Sequence, residues 1–320
     1  MILSVINFTE LHRDFTENHR EIFMSEPGIT AIGEILYDIY PDAKRLGGAP
    51  FNFIYHIWKI LGKANFVSSV GNDENGQEML SFLNSIGFNT NHIYIDKKNP
   101  TGTVQVKLNE DRTPQFTISP ECSYDYITLN DSTKQLIENE TDLLYLGTLS
   151  TRSEISRKTI LSLFGKPHIK YFCDLNLRHN FYTKDLIERT LLTTTVLKIN
   201  QEELDKLKQF FDLQQFNNRA IEQLITEFDI DLIGLTLDKD GAELYTKNES
   251  NYYKTEIVNV VDTLGAGDAF AAILCLGYLY KMPIAKVNKL ANEFAAEICT
   301  VNGALPMYNS IYDKYRTIFN

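Results

Sequence analysis

Between residues 143 and 237, short apolar runs alternate with longer segments whose apolar positions recur at helical spacing. The short runs predict strands, and the longer segments predict helices. The predicted strands lie near 143–147, 170–176, 195–200 and 231–237. The predicted helices lie near 153–164, 183–192, 201–211 and 216–228. This alternation predicts an α/β fold, with parallel strands in one sheet and helices on both of its faces. Ligands of such a fold bind at the carboxyl ends of the strands.

The N-terminal part of the chain begins with similar segments. They predict strands at 29–36 and 64–70, and helices at 51–61 and 77–86. An irregular stretch is predicted at 37–46. Residues 102–118 differ, because 103–108 alternate between apolar and polar positions and 115–118 return after a turn. That pattern predicts a hairpin with one solvated face, which leaves the main sheet. Two helices, near 266–280 and 284–301, close the predicted fold.

Composition and charge restrict the possible partners. The 320 residues are 43% hydrophobic, which is enough for one large domain or two smaller ones. A formal net charge of -11 argues against nucleic acid and anionic membranes as partners. The four cysteines are far apart, which predicts free thiols in a cytoplasmic protein, and no apolar run is long enough to span a bilayer. Residues 1–28 are predicted to be an N-terminal extension, with Met1 and Met24 both plausible starts.

A glycine-rich turn at residues 262–268 carries the strongest chemical signal. Its sequence, Asp-Thr-Leu-Gly-Ala-Gly-Asp, lies between a strand-like run at 256–261 and a helix-like run. The first N–H groups of a helix have no intrahelical partner and lie at the positive end of the helix dipole. Because Gly265, Ala266 and Gly267 have almost no side chain, a large anion can approach this backbone closely.

Asp268 places a carboxylate beside this anion site, and that combination suits phosphoryl transfer to a hydroxyl group. A simpler interpretation is also open, since glycine-rich turns are common and an acidic residue in a first helical turn balances the dipole. Asp174, Asn176 and Asn200 also lie at the carboxyl ends of predicted strands, where ligands bind. No Walker A, G-x-G-x-x-G, H-E-x-x-H or G-x-S-x-G motif is present, so a nucleotide pocket would have another design.

Two signatures carry a resemblance to the ribokinase family, also called the PfkB carbohydrate kinases. Residues 47–52, Gly-Gly-Ala-Pro-Phe-Asn, resemble the N-terminal glycine motif of that family. Residues 262–268 match its D-T-x-G-A-G-D motif, which is highly specific. Supporting segments lie between them in the family's order, at 174–178, 200–203 and 236–241.

The resemblance covers nearly all of residues 29–320 and implies one kinase domain. It implies a ribokinase-like three-layer α/β/α fold with a mostly parallel central sheet. It also implies a small β-sheet lid, built from about residues 37–46 and 102–118. Residues 33–38, together with the N-terminal glycine motif, look most like the fructokinase branch of the family.

The same resemblance implies the residues that transfer the phosphoryl group. Asp268 looks like the base that removes the proton of a sugar hydroxyl. Gly265, Ala266 and Gly267 look like the anion hole that holds the transferring group. Arg178 matches an arginine near the phosphates, and its planar guanidinium suits that contact.

Further positions match the sites for nucleotide, metal and sugar. The nucleotide-binding positions are Asn200, Thr236, Gly241 and Asn292. Glu203 completes an N-x-x-E motif that holds Mg²⁺, largely through water, and Asp238 stands where the family usually has glycine. Asp262 and Thr263 resemble a monovalent-cation site, usually for K⁺. The sugar-binding positions are Asp38, Gly48 and Asn52. Gln105, on one face of the predicted hairpin, is a further candidate for the sugar site, with a solvated side chain as the alternative.

The resemblance therefore implies an ATP-dependent sugar kinase, with fructose as the expected substrate and fructose 6-phosphate as the product. The alternatives are a kinase of the same fold for 2-keto-3-deoxygluconate, ribose or a nucleoside, and a non-catalytic relative that senses sugar. ATP and Mg²⁺ are the expected cofactors, with K⁺ as a further candidate. The unpaired edges of a lid sheet favour a homodimer that pairs through the lid.

Overall fold

The computed structural model describes residues 26–108, 114–255 and 259–320. Its strands β1 to β13 are, in order, Ile29–Ile32, Leu36–Ile39, Lys44–Gly47, Asn65–Gly71, Ile93–Asp96, Gly102–Leu108, Pro114–Ile118, Leu143–Gly147, Lys170–Asp174, Val196–Asn200, Leu232–Thr236, Ala242–Tyr245 and Ser250–Tyr253. Its helices, which we number α1 to α10, are Ala49–Leu61, Glu74–Ser85, Asp131–Asn139, Glu154–Leu161, Lys184–Leu191, Gln201–Phe211, Asn217–Phe228, Ala266–Leu279, Ile284–Ile298 and Ser310–Phe319.

Nine strands form the main sheet, in the order β13-β12-β11-β10-β9-β8-β1-β4-β5. From β5 to β11 every neighbouring pair runs parallel. The hairpin of β12 and β13 adds two antiparallel strands at one edge. The carboxyl ends of the parallel strands therefore meet along one edge of the sheet, where ligands of such folds bind.

Apolar clusters on both faces of the main sheet make three layers. One cluster includes Phe51 of α1 and Phe270 of α8. The other includes Leu204 of α6 and Ile221 of α7. The predicted α/β/α architecture is confirmed. No helix in the described part of the chain has the length and apolar character to span a membrane.

Four strands form a second, smaller sheet in the order β3-β2-β6-β7. The pairs β2–β3 and β6–β7 are antiparallel, and β2–β6 is parallel. The chain leaves the main sheet at Gly33, whose φ is 154° and whose added β-carbon would lie 2.5 Å from Cγ of Pro50. Glycine is therefore required where the chain passes from β1 to β2.

Several predicted elements differ from the observed ones. The expected strand at 29–36 is broken at Gly33 into parts of two different sheets, and the expected irregular stretch at 37–46 contains strand residues of β2 and β3. Residues 259–261 of the strand-like run are not in a strand, and its residues 256–258 lie outside the described residues. We did not predict β5, α3 or α10. β5 pairs with β4, and Ile137 of α3 and Tyr312 of α10 are buried in the apolar clusters.

Candidate active site

The glycine-rich turn forms the start of α8. Gly265 is its N-cap, with φ of 80°, and a β-carbon there would lie 2.4 Å from Cβ of Ala304. Only glycine fits that left-handed and crowded position. No side chain among the described residues caps this end of the helix. N of Ala266 donates to O of Thr263 over 3.3 Å. The other N–H groups of the first turn and the helix dipole are available to an anion.

Asp268 in the first turn of α8 contacts the N-terminal glycine motif. Nδ2 of Asn52 donates a hydrogen bond to Oδ2 of Asp268 over 2.7 Å. Asn52 lies in α1, which begins after Gly48, and at Gly48 the φ of 110° and a β-carbon 2.5 Å from O of Glu34 require glycine. Within the described chain, Oδ1 of Asn52 is buried without a hydrogen-bond partner. The site therefore holds a buried acceptor beside a carboxylate.

The protonation of Asp268 is set by its surroundings. Burial raises the pKa of Asp268 to about 7, and the nearby carboxylate of Asp174 adds to the rise. The hydrogen bond from Asn52 and the positive charges of Lys198 and Arg178 oppose this shift. A carboxyl group with a pKa near neutral can take up and release a proton at physiological pH.

Lys198 is a site residue that the sequence analysis did not identify. It lies in β10 and is only 8% exposed. Its Nζ is 3.1 Å from Oδ1 and 3.3 Å from Oδ2 of Asp174, at the end of β9. A β-carbon on Gly267 would lie 3.1 Å from this Nζ, so the ammonium group lies directly beside the anion-binding turn.

Three carboxylates stabilise the positive charge of Lys198. Burial by itself lowers the pKa of Lys198, but Asp174, Glu203 and Asp268 outweigh burial, so the pKa is raised. The available sequence signal was a lysine between the apolar residues Leu197 and Ile199 of a predicted strand. Charged side chains are almost never fully buried unless they are paired, so such a lysine indicates a buried acidic partner.

Asp38 lies in β2 of the smaller sheet and faces the same space as Asn52. A β-carbon at Gly47 would lie 3.0 Å from Oδ2 of Asp38 and 4.0 Å from Oδ1 of Asn52. Burial raises the pKa of Asp38 to about 6, and the charges of Arg178 and Arg45 oppose the rise. No group within the described residues donates a hydrogen bond to this carboxylate. Oδ2 of Asp38 and Oδ1 of Asn52, two buried oxygen acceptors, therefore both lie close to Gly47.

Gln105 does not join these acceptors. The pairing of β2 with β6 places Gln105 beside Ile39 and places Asp38 beside Val104. Successive side chains of a strand point to opposite faces. Gln105 is therefore on the face of the smaller sheet away from Asp38, where it is exposed. Strand register, which the alternation pattern alone does not specify, removes the geometric support for the expected contact of Gln105 with sugar.

Asn200 and Glu203 form a capping box at the start of α6. Oε2 of Glu203 accepts from N of Asn200 over 2.9 Å, and Oδ1 of Asn200 accepts from N of Glu203 over 2.9 Å. Oε1 of Glu203 accepts from N of Leu177 over 2.8 Å. Burial raises the pKa of Glu203, and the charge of Lys198 opposes the rise.

Each oxygen of Glu203 keeps a free lone pair, so this donor set fits Mg²⁺ held through water rather than by direct ligation alone. The described residues contain no group of three or more His, Cys, Asp or Glu side chains that could hold a metal ion by themselves. Mg²⁺ commonly takes one or two carboxylates together with substrate phosphates, which agrees with a sparse protein donor set.

The loop after β11 has the backbone shape of a glycine loop. Asp238 has φ of 51° and lies in the left-handed region, where Asp and Asn are the best tolerated residues after glycine. Gly241 has φ of 99°, and a β-carbon there would lie 2.0 Å from O of Tyr253. N of Leu237 donates to O of Gly241 over 2.8 Å and closes the loop. Thr236, at the end of β11, opens this loop.

Asn292 is occupied inside the protein. Its Oδ1 accepts from Oγ1 of Thr255 over 2.6 Å, and its Nδ2 donates to O and Oδ1 of Asn288, each over 2.8 Å. It is 3% exposed. The side chain therefore ties α9 to the segment after β13, and it is not free to contact an adenine base as expected.

Arg178 lies after β9 and is exposed. Burial raises the pKa of both Asp268 and Asp38, and the positive charge of Arg178 opposes both shifts. Its guanidinium group is therefore close enough to act on both acidic groups, at the open side of the site.

The carboxylate of Asp262 already accepts hydrogen bonds from three donors. Its Oδ1 accepts from N of Leu264 over 3.0 Å. Its Oδ2 accepts from N of Gly303 over 3.0 Å and from a guanidinium nitrogen of Arg45 over 2.7 Å. Thr263 is exposed. Oδ2 of Asp262 therefore already has a cationic partner, which opposes a second cation at that oxygen.

Comparison with known proteins identifies the family of this chain. A family model described as pfkB family carbohydrate kinase matches residues 31–310. The sugar kinase PH1459 of Pyrococcus horikoshii is 28% identical over 299 residues, which cover 86% of this chain and 91% of that protein. The fructokinase of Escherichia coli is 26% identical over 296 residues, which cover 87% of this chain and 94% of that protein.

Solved structures share the fold. The crystal structure of PH1459 in complex with ATP matches with a TM-score of 0.74 and 26% identity, and covers 87% of this chain and 94% of that one. The ribokinase of Thermotoga maritima matches with a TM-score of 0.73, covering 91% of this chain and 99% of that one. At 19% identity the latter shows the fold alone, which is the ribokinase-like fold.

Proposed function

The chain belongs to the pfkB family of carbohydrate kinases, and we propose that it is a fructokinase that transfers the γ-phosphate of ATP to the C6 hydroxyl of fructose. The observation that carries this proposal is the 2.7 Å contact between Asn52 and Asp268. It brings a hydroxyl-binding amide to a carboxylate of raised pKa, directly beside an uncapped helix N-terminus. A base and an anion site in one place suit phosphoryl transfer to an alcohol.

The sugar would lie between the smaller sheet and α1. Oδ1 of Asn52 and the carboxylate of Asp38 would each accept a hydrogen bond from a sugar hydroxyl, and Gly48 leaves room for the ring. A site whose buried acceptors lack partners favours ligands that bring donors, because unpaired buried polar groups are costly. This requirement selects a polyhydroxylated substrate.

In the proposed reaction, Asp268 accepts the proton of the sugar hydroxyl as the oxygen attacks the γ-phosphorus. The bond from phosphorus to the β,γ-bridging oxygen breaks, and ADP leaves. The N–H groups of Gly265, Ala266 and Gly267 stabilise the charge on the transferring group. The proton on Asp268 is then released to solvent, which a pKa of about 7 permits.

Positive charge at the site would come from three sources. Lys198 lies beside Gly267 under the anion turn, and Arg178 lies at the open side. When bound, Mg²⁺ neutralises charge on the phosphates, and Asn200 and Glu203 would hold it through water. Thr236, Gly241 and the left-handed backbone at Asp238 would form the nucleotide loop.

We further propose that the smaller sheet is a lid over the sugar and that it pairs with a second chain. Phe116 of β7 is 40% exposed on this sheet, whose outer strands have unpaired edges. A sedimentation experiment at two protein concentrations would detect the dimer. Because the reaction consumes ATP, we expect the protein to work in the cytoplasm.

The test of the function is ADP release measured over a panel of acceptors. The panel contains fructose, 2-keto-3-deoxygluconate, ribose, a nucleoside and fructose 6-phosphate. We expect the highest kcat/KM with fructose. Activity on another acceptor with none on fructose would reassign the substrate but keep the kinase. Sugar binding without ADP release from any acceptor would instead support a non-catalytic sugar sensor.

Replacing Asp38 by alanine is expected to raise KM for fructose about 10- to 100-fold, because one charged hydrogen-bond partner of the sugar is lost. kcat should change much less, since Asp38 does not contact the reacting atoms in the proposed complex. Steady-state kinetics at saturating ATP measures both constants. Lys107→Ala is the control, because Lys107 is exposed on the other face of the same small sheet. An unchanged KM in Asp38→Ala would remove Asp38 from the sugar site.

The rate should depend on pH through Asp268. Only the ionised carboxylate can accept a proton, and its pKa is raised from 3.8 to about 7. We therefore expect kcat/KM to fall as the pH decreases below about 7, approaching tenfold per pH unit. Steady-state kinetics from about pH 5 to pH 9 would show this. Asp38→Asn removes the carboxyl of raised pKa at the proposed sugar site, and the step near pH 7 should persist in that variant. A flat profile would contradict the role of Asp268.

A further inference from the structure

Arg45 of the smaller sheet reaches the loop that precedes the anion-binding turn. Its guanidinium donates to Oδ2 of Asp262 over 2.7 Å, across 217 residues of chain. Its Cδ would be 3.8 Å from a β-carbon on Gly303, so the side chain lies directly against that glycine. Its Cζ also lies 4.7 Å from the ring centre of Tyr40. The guanidinium of Arg45 is thus positioned by both the carboxylate of Asp262 and the ring of Tyr40.

The partner of Arg45 organises two loops that frame the anion turn. Asp262 accepts hydrogen bonds from N of Leu264 and N of Gly303, each over 3.0 Å. Ala304, which follows Gly303, packs against Gly265, because a β-carbon added to Gly265 would lie 2.4 Å from Cβ of Ala304. One carboxylate therefore joins both loops, and its charge must be balanced for that arrangement to hold.

We propose that the Arg45 guanidinium is the built-in cation of this loop junction, which holds the anion-binding turn in place of a bound monovalent cation and couples it to the smaller sheet. The proposal rests on the proposed kinase function for its effect on rate. Oδ2 of Asp262 already carries a cation and an N–H donor, and a second cation at the same oxygen would be repelled by the guanidinium. The chain should then function without K⁺.

A neighbouring lysine shows that this contact is particular to Arg45. Lys44 precedes it in β3 and points to the opposite face of the strand. Lys44 contacts Glu78 and Asn75 of α2, away from the anion turn. Lys44→Met is therefore a matched control that removes one positive charge and one ion pair from the same strand.

The first experiment compares the wild-type protein in K⁺, Na⁺ and tetramethylammonium buffers of equal ionic strength. We expect rates of ADP release within about twofold of one another, since no binding energy for K⁺ is used. We expect Tm without nucleotide to be the same in the three buffers, because an ion that binds only the folded state would raise it. A rate or Tm that rises specifically with K⁺ would overturn the proposal.

The second experiment removes the guanidinium. In Arg45→Met the balancing charge is gone, so turnover in tetramethylammonium should fall at least about tenfold, with partial recovery in K⁺. Arg45→Lys should retain more of the rate than Arg45→Met, and Lys44→Met should match the wild type. Equal rates for Arg45→Met and the wild type in tetramethylammonium would contradict the proposal.

The two hypotheses fail in different ways. If the wild-type protein releases no ADP with any sugar, the kinase function fails, while the Tm comparison still decides whether K⁺ binds. If Arg45→Met does not fold, the wild-type measurements alone decide. A kinase that is active but strongly K⁺-dependent would keep the proposed function and reject the built-in cation.

Discussion

Replacing Asp268 by asparagine lowers kcat by about 10²–10⁴-fold, the usual contribution of a positioned general base. Asparagine has the same shape, but it cannot accept the proton of the sugar hydroxyl. Its amide can still contact Asn52, so the sugar site should keep its form. We therefore expect calorimetry to show nearly unchanged binding of fructose, while ADP release is almost lost.

The control for this prediction is Asp131→Asn, which makes the same chemical change at a carboxylate that is 93% exposed. Its kcat should equal that of the wild type. The step near pH 7 in the rate profile should also disappear from the residual activity of Asp268→Asn. A turnover close to that of the wild type would show that another group, or solvent, receives the proton.

Replacing Lys198 by methionine should destabilise the protein by about 3–5 kcal/mol, the range measured when one partner of a buried ion pair is removed. The side chain of Asp174 is 1% exposed, and among the described residues it would keep only a 3.3 Å contact from the hydroxyl group of Tyr145. Asp268 and Glu203 would also lose a positive charge that opposes the rise of their pKa. Urea unfolding followed by circular dichroism measures the loss.

A double-mutant cycle separates this pair from its surroundings. In Lys198→Met combined with Asp174→Leu both charges are gone, so the double variant should be more stable than Lys198→Met alone. Lys247→Met breaks an exposed ion pair with Asp229 and should leave stability nearly unchanged. If Lys198→Met unfolds at the wild-type urea concentration, the buried carboxylates do not require this lysine.

The rate of the stable double variant would add a separate result. If Lys198 serves the transferring phosphoryl group as well as the fold, ADP release should stay low after stability is recovered. Recovery of both together would assign Lys198 a role in stability alone.

Local patterns determined the parts of this protein that depend on neighbouring residues. The alternation between residues 143 and 237 predicted the parallel sheet, because burial on both faces makes each central strand a continuous apolar run. Leu143–Gly147 begins and ends where it was predicted. The glycine-rich turn at 262–268 could also be predicted from the sequence, since its glycines and the start of its helix lie within a few residues of one another.

Features that depend on strand register or on distant contacts could not be predicted from the sequence. The break at Gly33 ended a predicted strand four residues early, and the crowding that requires a glycine there comes from the distant Pro50. Gln105 was assigned to the sugar site from its place in a hairpin, but the register of β2 with β6 put it on the other face. Asn292 was assigned to the nucleotide, but its side chain bonds to Thr255 and Asn288.

The sequence by itself therefore determined the fold class, the anion turn and the identity of Asp268 as the candidate base. Only the tertiary structure decided which groups surround that base. Asn52 meets Asp268 across 216 residues, and Arg45 meets Asp262 across 217. Lys198 is paired through the neighbouring strand. No local periodicity encodes such contacts, because they depend on how strands are ordered and on which face each side chain occupies.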